Sequence, residues 1–443
     1  MLQIVMAFAP LVFLILYALK TRKMADAMVL ATLLAMVLLH RQHFLTGTID
    51  AMYTALSNSS YQFALCVIIG FGGMITLFQE SGALMGFRDL LLKIASGPKR
   101  TLVLAWLMSA IMFLDEYLSA LTVTFSMREI TDKNRIPREH LALQANIIAC
   151  CLCVAVPFSS WTAFSVGLIS AHGLGFSDYV RAIPYMFYPL GMMLLCLLLA
   201  VGAFPKLGGL KRAYQRVQSG GDTMEKLVDI PDVDESRVSS AWNAIVPLAV
   251  LVGGTIAYGN DLVHGMIMAI IAQFLLYVPQ KIMTVGKFFE HFFNGAKGMT
   301  MLAIVVGFGF MLSEANRGLG LFDTLITSIG GAVPAFLIPA LAFLLVAATV
   351  FAVGSCWVVM TLAIPVFLPL AASVGLPAPV IVAAIMSGVS LGYSTCFYAD
   401  AVFMTTAGTG VSNITIIKTT APYAAVGAAV AVIGFLLCGL GIL

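Results

Sequence analysis

Asp115-Glu116 stands within Met112-Phe113-Leu114-Asp115-Glu116-Tyr117-Leu118-Ser119, in a stretch otherwise oily from Leu102 to Met127. Holding an ionised carboxylate near the centre of a bilayer costs at least about 2.5–3.5 kcal/mol, so a doubled acid needs a partner, water or a task. Charge that ends an apolar run and reaches the headgroups is the plainer reading, but apolar sequence on both sides weighs against it. Three more interruptions share this character: Pro157-Phe158-Ser159-Ser160-Trp161, Val353-Gly354-Ser355-Cys356-Trp357, and Tyr393-Ser394-Thr395-Cys396-Phe397-Tyr398-Ala399-Asp400. Together they supply carboxylates (Asp115, Glu116, Asp400), hydroxyls (Ser159, Ser160, Ser355, Ser394, Thr395) and carbonyls freed where helices unwind. Hard oxygens suit a small hard cation, with Asp115, Glu116 and Asp400 as sodium ligands, or a proton on a carboxylate. Tyr117, Gly354, Trp161 and Trp357 flank these groups, the two tryptophans as gate or packing residues. Asn146 is a candidate for a hydrogen bond between helices.

These groups must be positioned by helices in a membrane. The 443 residues are 60% hydrophobic and only 10% charged, far from a soluble composition. Apolar windows of about 17–25 residues recur, and a helix satisfies its own backbone in lipid. An outer-membrane barrel's alternation is absent. A net charge of +3 is too small to suggest nucleic acid. The eight cysteines read as packing residues, without metal-ligand spacing. The run Gln3 to Leu19 reads as a retained span. The basic loop Lys20-Thr21-Arg22-Lys23 is expected on the cytoplasmic side of a plasma membrane, with the N-terminus outside. Arg88, Lys93, Lys99 and Arg100 precede the acid-bearing segment, and the basic stretch Arg128–Arg138 follows it. Both are inside if about 101–127 enters and leaves on one side as a re-entrant hairpin with Asp115-Glu116 at its tip. The long run at about 140–172 reads as a helix broken at Pro157, a simple kink being the alternative.

The polar segment 205–240 is expected as a cytoplasmic, solvated linker between two related halves, 1–204 and 241–443. Gly70-Phe71-Gly72 recurs as Gly307-Phe308-Gly309, Ile136-Pro137 as Leu376-Pro377, and Pro184-Tyr185 as Pro422-Tyr423, at offsets of 237 to 240. The second half then carries a hairpin at about 334–371 and a broken helix at about 379–411. Five true crossings per half make the copies face opposite ways, and 358–417 lacks Lys and Arg, as an outside location requires. Inverted repeats place binding sites near the midplane between discontinuous helices. The fold expected is therefore an all-α polytopic membrane protein of two inverted repeats, each with five spans and a re-entrant hairpin.

Phe113-Leu-Asp-Glu-Tyr117, Ile130-Thr-Asp-Lys133, Arg138-Glu139, Pro157-Phe-Ser-Ser-Trp161, Gly354-Ser-Cys-Trp357 and Ser387-Gly388 with Asp400 resemble, in this order, the NhaC-type sodium/proton antiporters of the ion transporter superfamily. The resemblance spans about Gly70 to Thr420. It implies an elevator-type carrier with scaffold and transport domains, a homodimer, and no cofactor beyond sodium or protons as coupling ions. The family pattern has Asp-Asp where this chain has Asp115-Glu116, and Asp-His where it has Tyr393-Ser394. Those departures leave open a relative that carries a small organic solute, an amino acid or carboxylate, coupled to sodium or protons. An intramembrane protease is a weaker fit: Glu139-His140 lacks the full His-Glu-x-x-His helix. A channel is likewise less apt than a carrier for broken, repeated helices.

Overall fold

Two predominantly apolar helices buried on nearly every side form the centre of the molecule. One is Arg138–Ala155, buried at every residue from Glu139 onward; the other is Ala378–Thr395, buried along nearly its whole length. Pro137 and Pro377 precede them as N-caps, where a missing N–H costs nothing. The computed structural model describes residues 2–21, 24–83, 86, 97–170, 172–224, 239–259, 261–320, 333–397 and 399–443, and among these there is no strand.

In chain order the helices are α1 (Leu2–Thr21), α2 (Met24–His40), α3 (Phe44–Ser57), α4 (Ser59–Glu80), α5 (Pro98–Ile111), α6 (Glu116–Lys133), α7 (Arg138–Ala155), α8 (Ser160–Ser170), α9 (Phe176–Ala182), α10 (Phe187–Val201) and α11 (Gly208–Gln218). They continue with α12 (Trp242–Ala257), α13 (Leu262–Tyr277), α14 (Val285–Gly298), α15 (Thr300–Gly318), α16 (Ile338–Val353), α17 (Cys356–Ser373), α18 (Ala378–Thr395), α19 (Asp400–Thr409) and α20 (Asn413–Gly439). The helices starting at 98, 116, 138 and 160 recur at 338, 356, 378 and 400, each 240 residues later. Among the described residues six helical segments are long and apolar enough to cross a bilayer, and two bent pairs could each serve as a further span. This is a multi-pass membrane protein.

Each first member of the matched set is a helix–turn–helix. In α5–α6 the turn is Met112–Asp115, and in α16–α17 it is Gly354-Ser355. Gly354 closes α16 at φ 74°, a left-handed conformation that glycine adopts without a Cβ clash. α16 lies so tightly on α18 that a Cβ on Gly392 would sit 2.4 Å from the Ala347 carbonyl oxygen. α6 packs on α19: a Cβ on Gly408 would collide with Thr124, and Arg138 after the end of α6 donates to the carbonyl of Thr409 at 2.9 Å. Thr124 and Gly408 each lie eight residues past their helix starts, Tyr117 at the start of α6 reaches Tyr393 shortly before the start of α19, and Arg138 beyond the end of α6 reaches Thr409 at the end of α19, so the two helices run parallel with their starts level.

Three local features depart from the sequence reading. α6 continues through Arg128 to Lys133, so the basic stretch is mostly helix and the loop is only 134–137; Asp132 pairs with Arg138 at 2.6 Å across it. Segment 205–240 contains α11, whose Leu210, Ala213 and Val217 are buried because apolar residues recur at helical spacing there. The acidic run Asp229, Asp232, Asp234 and Glu235 lies outside the described residues, as do Arg22, Lys23, Arg88 and Lys93. Finally, the chain bends by 55° between α9 and α10 near Pro184, whereas α20 passes through Pro422 unbroken.

Candidate functional site

Asp115 is the N-cap of α6: its side chain accepts the Tyr117 amide at 3.0 Å and its carbonyl accepts the Ser119 amide at 3.0 Å. An acid in that position, with Glu116 opening the first turn, meets the positive end of the helix dipole. Both carboxylates are buried, at 2% and 0% exposure. Ser160 Oγ lies 3.4 Å from Asp115 Oδ2, and Trp161 Nε1 donates to Glu116 Oε2 at 2.6 Å. The Ser160 amide donates to the Leu114 carbonyl at 2.9 Å, a main-chain bond between the turn of the first hairpin and the start of α8.

The break between α7 and α8 is held open by hydroxyls. Val156 leaves the helix with ψ 124°, and the prolyl residue behind it offers no amide. Ser159 donates to the Cys153 carbonyl, Tyr179 to Val154 at 2.8 Å, and Thr162 to Val156 at 2.8 Å. The freed carbonyls therefore have donors from the protein, and Ser159 also caps α8 by accepting the Thr162 amide at 3.0 Å. At the second break Ser394 and Thr395 donate back to Ser390 and Leu391 at 2.7 Å each, and Asn413 donates to the Phe397 carbonyl at 2.9 Å. Asn146 on α7 donates to the Ser394 carbonyl at 2.8 Å, which joins the two central helices.

All four interruptions meet. The Tyr117 and Tyr393 hydroxyls are 3.4 Å apart, joining the first hairpin to the end of α18. The indole of Trp161 packs edge-on against Trp357 at 5.9 Å and Tyr393 at 5.4 Å, and Phe164 closes on Trp357 at 5.0 Å. Thus Asp115, Glu116, Tyr117, Ser160 and Trp161 form one contiguous cluster with Trp357 and Tyr393. Ser159 and Thr395 support the breaks, and Ser394 reaches the Tyr188 hydroxyl at 3.2 Å. Gly354 and Ser355 form the second turn, where Ser355 makes no side-chain cap bond. Asp400 is the first residue of α19, level with the start of α6; the placement of its carboxylate lies outside the described residues, as does Tyr398. Tyr393, Tyr188 and Tyr179 were not among the candidates; their signal is a hydroxyl-bearing ring close to, or at helical distance from, a break.

Among the described residues no group of three or more His, Cys, Asp or Glu side chains is placed to hold a metal ion. The cysteines there are not joined in disulfides, and all but Cys66 are buried. His140 is buried against the Tyr214 hydroxyl at 2.7 Å, away from the acid pair.

Residues 152–440 match the model of the Na+/H+ antiporter family. The chain belongs to that family. The matched segment includes the second hairpin and both helix breaks. A protein of Haemophilus influenzae described only as uncharacterised is 22% identical over 421 residues, 86% of this chain and 79% of its own length. Among solved structures, the YdaH transporter of Alcanivorax borkumensis superposes with a TM-score of 0.55 at 13% identity, over 90% of this chain and 89% of that one. MtrF of Neisseria gonorrhoeae, described with a class of antimetabolite efflux pumps, gives 0.54 at 13% identity over 89% and 83%. At that identity the likeness is one of fold. This member of the Na+/H+ antiporter family is a membrane transporter and not an enzyme.

Proposed function

We propose that this protein exchanges sodium for protons by alternating access, with Asp115, Glu116 and Asp400 as the groups that carry cation or proton. The observation that supports this best is the convergence of all four interruptions on a buried acid pair, with contacts running from Glu116 through Trp161 to Trp357 and Tyr393. A charge pair so far from water is retained where it has a partner or a cargo. Residues 1–204 and 241–443 are then oppositely facing copies joined by 205–240, as the constant 240-residue spacing of the helix starts suggests. The paired hairpins and broken helices form a moving transport domain, the outer spans a scaffold, and two copies assemble in the plasma membrane with the N-terminus outside.

Sodium-driven proton flux in proteoliposomes tests the reading. Asp115→Asn, Glu116→Gln and Asp400→Asn are each expected to reduce it to background; wild-type flux in all three overturns the assignment.

One further observation favours a second reading, a sodium- or proton-coupled carrier of a small organic solute. α6, α8 and α17 begin around the same aromatic cluster, α19 begins level with α6, and helix starts offer amides and positive potential to an anionic group. Uptake of radiolabelled amino acids and dicarboxylates, with and without a sodium gradient, separates the two: solute accumulation assigns the second, and none assigns the first.

A further inference from the structure

A second polar site lies apart from the acid pair. A cavity of about 300 Å³ is walled by Arg212 and Arg216 of α11, Glu139 at the start of α7, and Thr415, Lys418 and Thr419 in the first turns of α20. Glu139 is 1% exposed, and its carboxylate is held by Arg216 at 2.9 Å. Arg216 is further fixed by the carbonyls of Asp222 at 2.9 Å and Thr223 at 3.2 Å. That pair is neutral overall. Arg212 and Lys418, by contrast, make no hydrogen bond or ion pair with any described residue, and both line the same cavity. The close approach of the two helices is built in: Gly209 faces Thr419, whose Oγ1 would lie 2.9 Å from a Cβ there.

Two unpaired cations about a cavity of headgroup size, with hydroxyls beside them, form a receptor for an anion. The chemistry points to phosphate: a guanidinium fork and an ammonium match its several acceptor oxygens, and the Thr415 hydroxyl, which accepts from Ser412 at 3.0 Å, keeps its proton to donate, whereas that of Thr419 is given to the Thr415 carbonyl at 2.8 Å. We propose that this cavity binds a phosphate group, held by Arg212 and Lys418, with Arg216 kept in place by Glu139. The group belongs either to an anionic lipid or to a soluble phosphorylated solute. The walls come from the segment joining the halves and from one helix of each half, so an occupant bridges all three.

The test uses the full-length protein purified in nanodiscs. Native mass spectrometry measures retained phosphatidylglycerol against phosphatidylcholine, and thermal melting in detergent is followed with added inorganic phosphate or pyrophosphate. A lipid occupant is expected to show phosphatidylglycerol retention that falls at least about tenfold in Arg212→Gln/Lys418→Gln. A soluble occupant instead shows a phosphate-dependent rise in melting temperature that the same variant loses. Lys211→Gln, an exposed neighbour outside the cavity, is expected to change neither. Size-exclusion profiles confirm that each variant is folded. If wild-type and double variant retain the same lipid and respond equally to phosphate, the proposal is wrong.

Discussion

At the scale of single residues, the bond from the Trp161 indole to Glu116 has the most at stake. Hydrogen bonds to charged groups contribute about 1.5–3 kcal/mol, and here the acceptor has no access to water. Trp161→Phe keeps the ring and removes the donor. It is expected to lose stability of that order, read from denaturation of the detergent-solubilised protein, and to slow sodium-driven flux. Unchanged stability would mean that Glu116 finds another donor. His172 offers a pH dependence outside the spans: burial first, and Arg317 second, hold its pKa below the ordinary value of 6.5. The unfolded chain therefore takes up that proton more readily, and stability present above about pH 6.5 is lost as pH falls below it. Melting temperature followed from pH 7.5 to 5.5 is expected to fall less steeply in His172→Gln; equal slopes would remove His172 as the cause. The acid pair was legible in sequence because a doubled charge is conspicuous in oil. The part played by Tyr393 was not, although it opens the fourth interruption, because a ring at the end of an apolar helix carries no charge to mark it.

At the scale of elements, tight helix packing is decided by where a side chain is missing. Gly392 has the Ala347 carbonyl oxygen 2.4 Å and Val350 Cβ 2.6 Å from where its own Cβ would be, whereas Gly253 in α12 has nothing within 4 Å. Gly392→Ala is expected to cost about 1–3 kcal/mol by overpacking, with Gly253→Ala neutral, both measured as shifts in thermal unfolding. A harmless Gly392→Ala would show that α16 can move away from α18. The first break was readable because Pro157 stands beside two serines that can serve the freed carbonyls, and the second because it repeats the first at a nearly constant offset. α11 was harder to see, since its buried stripe of Leu210, Ala213 and Val217 is diluted by Lys211, Arg212 and Arg216 in a segment that composition marks as polar. The unequal behaviour of Pro184 and Pro422 could not be read from the shared Pro-Tyr pair, because packing around the helix determines whether proline bends it.

At the scale of the molecule, alternating access requires some surfaces to part while others stay together. α15 and α17 meet where a Cβ on Gly309 would stand 3.9 Å from Thr361 Cβ, within the reach of a disulfide. In a background with the exposed Cys66 changed to Ser, Gly309→Cys/Thr361→Cys is expected to lose transport on oxidation and regain it on reduction. Full activity in the oxidised, crosslinked protein would fix this contact throughout the cycle and place the sliding surface elsewhere.

The bond from the Ser160 amide to the Leu114 carbonyl sets a limit on any such rearrangement. Pulling those two strands of backbone apart would leave a donor and an acceptor stranded in a dry interior, a penalty that nothing nearby refunds. The tip that bears the acids and the rod beginning at Ser160 are in effect welded. A cargo carried on Asp115 and Glu116, as proposed above, would therefore keep its seat while the tip and the rod travel together as one body past the rest of the protein.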